Sequence, residues 1–130
     1  YREMRDASMA IRNGADFIGT NSDSTFPTPQ GLFPGAGALL ASIQAASGEK
    51  PLILGKPQPF LYQEALKRMG LKPHQAMGIG DRLSTDIAGA QAAGCLSGFV
   101  GTGVSSLAEA QAWQPAIDLV APDLWSLIHD

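Results

Sequence analysis

Four times after residue 50, a short apolar run gives way to a helix-forming stretch. "KPLILG" (50–55) precedes "KPQPFLYQEALKRMG" (56–70), and "HQAMGIG" (74–80) precedes "LSTDIAGAQAAG" (83–94). "CLSGFVGT" (95–102) precedes "SSLAEAQAW" (105–113), and "AIDLVAP" (116–122) precedes "DLWSLIHD" (123–130). Strands alternating with helices leave few arrangements open, and the favoured one is a parallel sheet wrapped by helices on both faces. The fold class predicted is therefore α/β, with a Rossmann-like parallel sheet and flanking helices. In such sheets ligands bind beyond the carboxyl ends of the strands, so the strand-to-helix corners are where chemistry is expected.

The first 54 residues read differently. "YREMRDASMAIRNG" (1–14) opens as a helix already under way, with Met4, Ala7 and Ile11, joined by Met9 and Ala10, as a rough apolar face and Asn13-Gly14 as its stop. "ADFIGT" (15–20) reads as a short strand. The stretch "NSDSTFPTPQGLFPG" (21–35) carries Pro27, Pro29, Pro34, Gly31 and Gly35, which predicts a long irregular loop. Loops of that length are more often functional than idle. "GAGALLASIQAASG" (35–48) reads as a helix with Leu39, Leu40, Ile43 and Ala46 buried and Gly48 as its stop. The change of composition at 48–56 predicts a hinge or domain boundary. The absence of an initiator methionine and of a lead-in strand makes the chain read as a piece of something longer.

Composition narrows the function classes. A net charge of −3 and a pI near 5.2 give no electrostatic footprint for nucleic acid or an anionic membrane. No apolar run approaches the roughly 20 residues of a membrane span, and nothing resembles a signal peptide. The one cysteine, Cys95, has no partner for an internal disulfide and is expected to be a small buried hydrophobe. Two distant histidines make no zinc cluster. A cytoplasmic protein is the default expectation.

The residues that carry chemistry lie at two corners. In "GIGDRLSTDIAGAQAAG" (78–94), Asp81 follows Gly80 where the strand opens, and Asp86 lies about one helical turn further on. Two carboxylates without histidine or cysteine neighbours suit a hard, oxygen-preferring ion such as Mg²⁺. A plain structural alternative stands beside this: Asp86 favouring the first helical turn, Asp81 or Ser84 capping it, and Arg82 pairing with either aspartate. In "GKP" (55–57), Lys56 stands between a strand and a helix, where free N–H groups and a cation make an anion site. The alternative is an exposed surface lysine. If Lys56 and Asp81 occupy neighbouring strand ends, one presents a cation and the other holds a metal, which together would grip a phosphoryl group.

"LGKPQPFLYQEALKRMG", followed after a short gap by "MGIGDRLSTDIAGAQAAG", resembles the third and fourth motifs of the haloacid dehalogenase (HAD) superfamily. "GADFIGTNSDSTFPTPQGLFPGAGALLASIQAASGEKPLILGKP" resembles, more narrowly, its NagD-like branch (subfamily IIA), which includes p-nitrophenyl phosphatases. The resemblance covers nearly the whole chain. It implies a Mg²⁺-dependent phosphatase cleaving small phosphomonoesters through an aspartyl-phosphate intermediate. Lys56 would be catalytic and would bind the transferred group, Asp81 would bind Mg²⁺, and Asp86 would support the metal directly or through water. Thr85 and the backbone at 80–82 would shape the loop. Residues 1–54 would be the C-terminal part of a cap domain and 55–130 the C-terminal part of the core. Asn21, Asp23 and Phe26 would bind substrate, although Asn21 and Asp23 would equally organise a turn and Phe26 would equally pack on its own cap. Members of such families often pair through the cap, which would give a homo-oligomer, but the sequence carries no diagnostic patch.

The chain departs from the family pattern in one respect. The D-x-D motif that supplies the nucleophile and the acid/base, and the Ser/Thr motif before the cap, are absent from these 130 residues. Both belong N-terminal to Tyr1, so the chain alone is expected to be inactive. The competing expectation is a HAD-like module that binds phosphate and metal without turnover. A third, nucleotide binding through "GTGVSS" (101–106), rests on one short glycine pair and lacks the context of a dinucleotide site, a glycine-rich turn after the first strand with an acidic residue roughly 20 residues further on.

Overall fold

The computed structural model describes residues 1–129, which divide into two units, one of Tyr1–Gly55 and one that begins at Lys56.

The first unit opens with helix α1 (Arg2–Arg12), whose half-buried Met4, Ala7 and Ile11 and buried Ser8 form one stripe at helical spacing. The Ser8 hydroxyl donates to the Met4 carbonyl, 2.7 Å away, so its burial leaves no polar atom unmet. Strand β1 (Ile18–Gly19) follows. The stretch expected to be an irregular loop instead contains a hairpin of β2 (Thr25–Thr28) and β3 (Gly31–Pro34). Proline is tolerated here because a two-stranded ribbon needs only alternate N–H groups for its ladder. Gly31 takes φ 118° at the turn, Thr28 Oγ1 donates to the Gly31 carbonyl, and Phe26 stands opposite Phe33. Those two rings meet edge to face with centroids 6.2 Å apart, a favourable cross-strand pair. Helix α2 (Ala36–Ser47) ends where Gly48 turns left-handed, as the sequence predicts. Its expected stripe holds for Leu40, Ile43 and Ala46, which are partly buried, but fails at Leu39, which is 64% exposed. An alanine-rich helix has apolar residues all round, so its pattern does not single out one face. Strand β4 (Leu52–Ile53) then pairs in parallel with β1.

The second unit begins with helix α3 (Phe60–Met69), closed by Gly70 at φ 66°. After a single 3₁₀ turn (Pro73–Gln75) comes β5 (Met77–Gly80). A wide turn over Leu83–Ile87 leads into α4 (Ala88–Ala92) and then β6 (Leu96–Val100). Helix α5 (Leu107–Ala112) is capped by Ser106, whose Oγ accepts the Glu109 N–H while the Glu109 carboxylate receives the Ser106 N–H. Strand β7 (Leu119–Ala121) and helix α6 (Leu124–His129) complete the unit. The sheet is parallel in the order β5-β6-β7, the α/β arrangement that the alternation predicts, although the first of the four apolar runs, β4, pairs with β1 in the first unit and does not join it. Among the described residues, no helix is long and apolar enough to cross a membrane.

Strand β6 is central and is buried from Ser97 to Val100. One apolar cluster joins Leu66, Ala90, Ala93 and Cys95, with Tyr62 and Ala76 against it. The other joins Leu83, Ile87, Phe99 and Ala110, with Trp113 and Ile117 against it. Cys95 is thus the buried hydrophobe the sequence suggests, and burial pushes its thiol pKa up, away from reactivity.

The buried Ser97 donates both its N–H (2.8 Å) and its hydroxyl (2.9 Å) to Asp118 Oδ2, tying β6 to the entry of β7. These bonds, the backbone one foremost, hold the Asp118 carboxyl below the ordinary aspartate range. A depressed folded-state pKa contributes stability above the unfolded value and loses it as pH falls through the folded one. Replacement by alanine (Asp118→Ala) leaves the Ser97 N–H without its acceptor. The expected cost is about 1–3 kcal/mol near neutral pH. Thermal denaturation from pH 7 downward checks this, since the gap between variant and parent should narrow in acid.

Candidate active site

The carboxyl end of β5 delivers Asp81 directly after Gly80. The chain then enters the wide turn, where the Arg82 carbonyl accepts N–H groups from both Asp86 (2.9 Å) and Ile87 (3.4 Å). An i→i+5 bond widens the first turn, a form often found at functional sites, and here it carries Asp86 back over the strand end. Gly80 makes that possible: a Cβ there would lie 2.3 Å from the Asp86 Cβ and 2.5 Å from its Oδ2. The Asp86 carboxylate therefore occupies the space a side chain at position 80 would need.

Asp86 is buried and answered on both oxygens. Lys56 Nζ donates to Oδ1 at 2.5 Å, and the Arg82 N–H donates to Oδ2 at 3.1 Å. The ion pair is asymmetric in exposure, with the Asp86 side chain 10% exposed and that of Lys56 48% exposed. The lysine thus holds a fixed charge toward solvent while anchored to a buried partner. Beneath it, the Tyr62 hydroxyl donates to the Asp86 carbonyl at 3.1 Å. Burial, then the Asp86 charge, push the Tyr62 pKa up, with Lys56 pulling partly back, so Tyr62 remains a neutral donor.

Asp81 is held from another direction. The Val104 N–H donates to its Oδ2 at 2.8 Å, and the Ser105 N–H donates to its carbonyl at 3.1 Å. Among the described residues, no further hydrogen bond reaches the Asp81 carboxylate, so its other oxygen keeps its lone pairs. The donor set is all oxygen, with no cluster of three or more His, Cys, Asp or Glu among the described residues. This fits a hard ion of the Mg²⁺ kind, which takes one or two carboxylates and completes its shell with water and substrate phosphate.

Residues 53–127 match the HAD-hydrolase-like family model, and they include Lys56, Asp81 and Asp86. The chain belongs to the HAD superfamily. Within it, the NagD-like branch is shown by its relatives. The D-glycerol 3-phosphate phosphatase of Mycobacterium tuberculosis is 41% identical over 132 aligned residues, covering all of this chain and 37% of that protein. The structure of glycerol phosphate phosphatase from the same organism, in complex with magnesium, superposes with TM-score 0.89 at 41% identity, covering 100% of this chain and 40% of the other. NagD from Escherichia coli K-12 gives TM-score 0.83 at 35% identity over 95% of this chain and 48% of that one. The chain thus spans less than half the length of these relatives.

In this HAD-like chain, the second unit pairs Lys56 with Asp86 and sets Asp81 next to Gly80, over which Asp86 lies. The strand before Lys56, β4, pairs with β1 and is not a neighbour of β5 in the sheet. The cation that answers Asp86 proves to be Lys56, with Arg82 contributing its main-chain N–H. Asn21, Asp23 and Phe26 belong to the first unit. There Asn21 Oδ1 accepts the Asp23 N–H at 3.1 Å, the turn-forming arrangement open to these residues, and Phe26 packs on Phe33 within the hairpin. Sequence reading missed Tyr62, Val104 and Ser105. Tyr62 lies 24 residues from the carbonyl it meets and Val104 lies 23 from Asp81, separations at which no local spacing rule applies. The only signal was the glycine pair of "GTGVSS", which by itself suggests a tight turn.

Proposed function

We propose that this chain supplies the phosphate- and metal-binding part of a Mg²⁺-dependent phosphatase for small phosphomonoesters. The observation that carries the reading is the half-exposed Lys56 ammonium held 2.5 Å from buried Asp86, together with an Asp81 carboxylate at the end of β5 that has one oxygen left over. The magnesium complex of the mycobacterial relative and that enzyme's name support the metal and the substrate class.

In this mechanism Lys56 meets the phosphoryl oxygens and offsets the charge that grows on them during transfer. Asp86 fixes the lysine rather than reacting, and Asp81 offers its open oxygen to the metal. Bound magnesium would neutralise phosphoryl charge as a Lewis acid. The attacking aspartate would come from residues outside this chain, forming an aspartyl-phosphate as the ester P–O bond breaks, and water would then release phosphate. Residues 1–54 would act as part of a cap, with Asn21, Asp23 and Phe26 meeting the alcohol portion of the substrate.

The test is hydrolysis of p-nitrophenyl phosphate by the complete protein, with and without Mg²⁺, beside Asp81→Ala. Metal-dependent turnover should fall by about 10²-fold or more in the variant, the scale of removing one transition-state stabiliser. Equal turnover by the folded variant would remove Asp81 from the metal site. No turnover by the folded parent on this or a panel of sugar and glycerol phosphates would favour a binding module.

A further inference from the structure

The loop after β6, "GTGVSS" (101–106), is absorbed neither by nucleotide binding nor by the chemistry above, yet it meets the Asp81 corner at three points. The Val104 N–H donates to Asp81 Oδ2 (2.8 Å), the Ser105 N–H donates to the Asp81 carbonyl (3.1 Å), and Ser105 Oγ accepts the Leu83 N–H (3.2 Å). Two neighbouring strand ends are laced together, and the lacing includes the side chain assigned to the metal.

Gly103 makes the approach possible. A Cβ at this position would lie 1.9 Å from Asp81 Oδ2 and 2.4 Å from its Cγ. No real contact is that close, so any side chain at 103 must displace the carboxylate or the loop. The glycine is not required for backbone conformation, because its φ is not among the positive ones. Space for Asp81 is what demands it.

We infer that Gly103, Val104 and Ser105 form a positioning device for Asp81, occupying Oδ2 so that the remaining oxygen is presented to the metal in one orientation. A carboxylate with two equivalent free oxygens rotates, and it can bind a metal through either oxygen or both. A hydrogen bond to one oxygen fixes the plane and leaves a single ligand atom, which is how groups beyond the ligands themselves tune metal affinity. Mg²⁺ demands near-ideal octahedral geometry, so it is sensitive to such a constraint. This inference rests on the assignment of Asp81 to the metal in the proposed function.

The experiment is Mg²⁺ titration calorimetry on the complete protein, beside Gly103→Ala and Asp81→Ala, with metal-free thermal melting as the control for folding. Gly103→Ala should weaken Mg²⁺ binding about 10-fold or more, within the range seen on removing such supporting groups, while still melting cooperatively. Binding within twofold of the parent by a folded Gly103→Ala would overturn the inference. If that variant does not fold, the parent's own amide spectrum decides. Saturation with Mg²⁺ should shift the Val104 N–H resonance together with that of Asp81, and a Val104 resonance that stays still would overturn it. Asp81→Ala separates the two readings. Undiminished Mg²⁺ affinity there sinks the metal assignment, whereas lost affinity there with normal affinity in Gly103→Ala sinks only the positioning role.

Discussion

Removing the Lys56 ammonium (Lys56→Ala) in the complete protein should lower turnover of a phosphomonoester by about 10²-fold or more, the loss expected when one preorganised transition-state donor is removed. Two effects act together. The phosphoryl group loses a cation, and Asp86, whose side chain is only 10% exposed, loses the partner 2.5 Å from its Oδ1. A buried carboxylate stripped of its cation repels an incoming phosphate and either takes up a proton or drags its loop toward water. The reduction should appear in kcat more than in KM, because the interaction strengthens as charge develops in the transition state. Steady-state kinetics at saturating Mg²⁺ checks it, and a loss under threefold would remove Lys56 from the mechanism. Arginine should not restore the activity, since a planar guanidinium does not reproduce a compact point charge seated on one carboxylate oxygen.

Truncating Phe99 (Phe99→Ala) should destabilise the complete protein by about 3–5 kcal/mol, the usual cost of emptying a phenylalanine site in a packed core. Phe99 has no exposed surface and lies on the central strand, in the same cluster as Leu83, Ile87 and Ala110, with Trp113 and Ile117 against it. Against a typical folding free energy of about 5–15 kcal/mol this is a large fraction, and urea denaturation should show the midpoint moving accordingly. A shift below about 1 kcal/mol would mean that the cluster closes over the gap. The position also matters functionally. Leu83 and Ile87 are the buried ends of the wide turn that carries Asp86, so a void beneath them loosens the site from below. Mg²⁺ affinity should fall in the folded variant, although no atom of Phe99 is assigned to the chemistry.

Much of the second unit was legible in the sequence because its signals are local. Short apolar runs, each followed by a helical stretch and two of those stretches closed by glycine (Gly70 and Gly94), leave few alternatives to a parallel α/β sheet. Gly70 takes the left-handed conformation and closes α3, while Ser106 and Glu109 form the cap that their three-residue spacing announces. Lys56, Asp81 and Asp86 stood out because each sits at a strand-to-helix corner. The hairpin at 25–34 was not legible. Its prolines and glycines argue against regular structure residue by residue, and only the pairing of Phe26 with Phe33 across a turn at Gly31 reveals strands. The exposure of Leu39 is hidden for a related reason, as a helix rich in alanine offers little polar face to mark what is exposed.

By itself, the sequence determined the alternation of elements, the family and the identity of the three charged residues at the corners, since each depends on neighbours within a few positions along the chain. The tertiary structure alone decided which charge answers which. Lys56 reaches Asp86 across 30 residues, and the Asp81 carboxylate is taken by an amide 23 residues further on. Gly80 and Gly103 owe their identities to carboxylates that fill the space beside them. The Asp81 pairing follows from β5 and β6 lying side by side in the sheet, and chain spacing carries no record of such contacts.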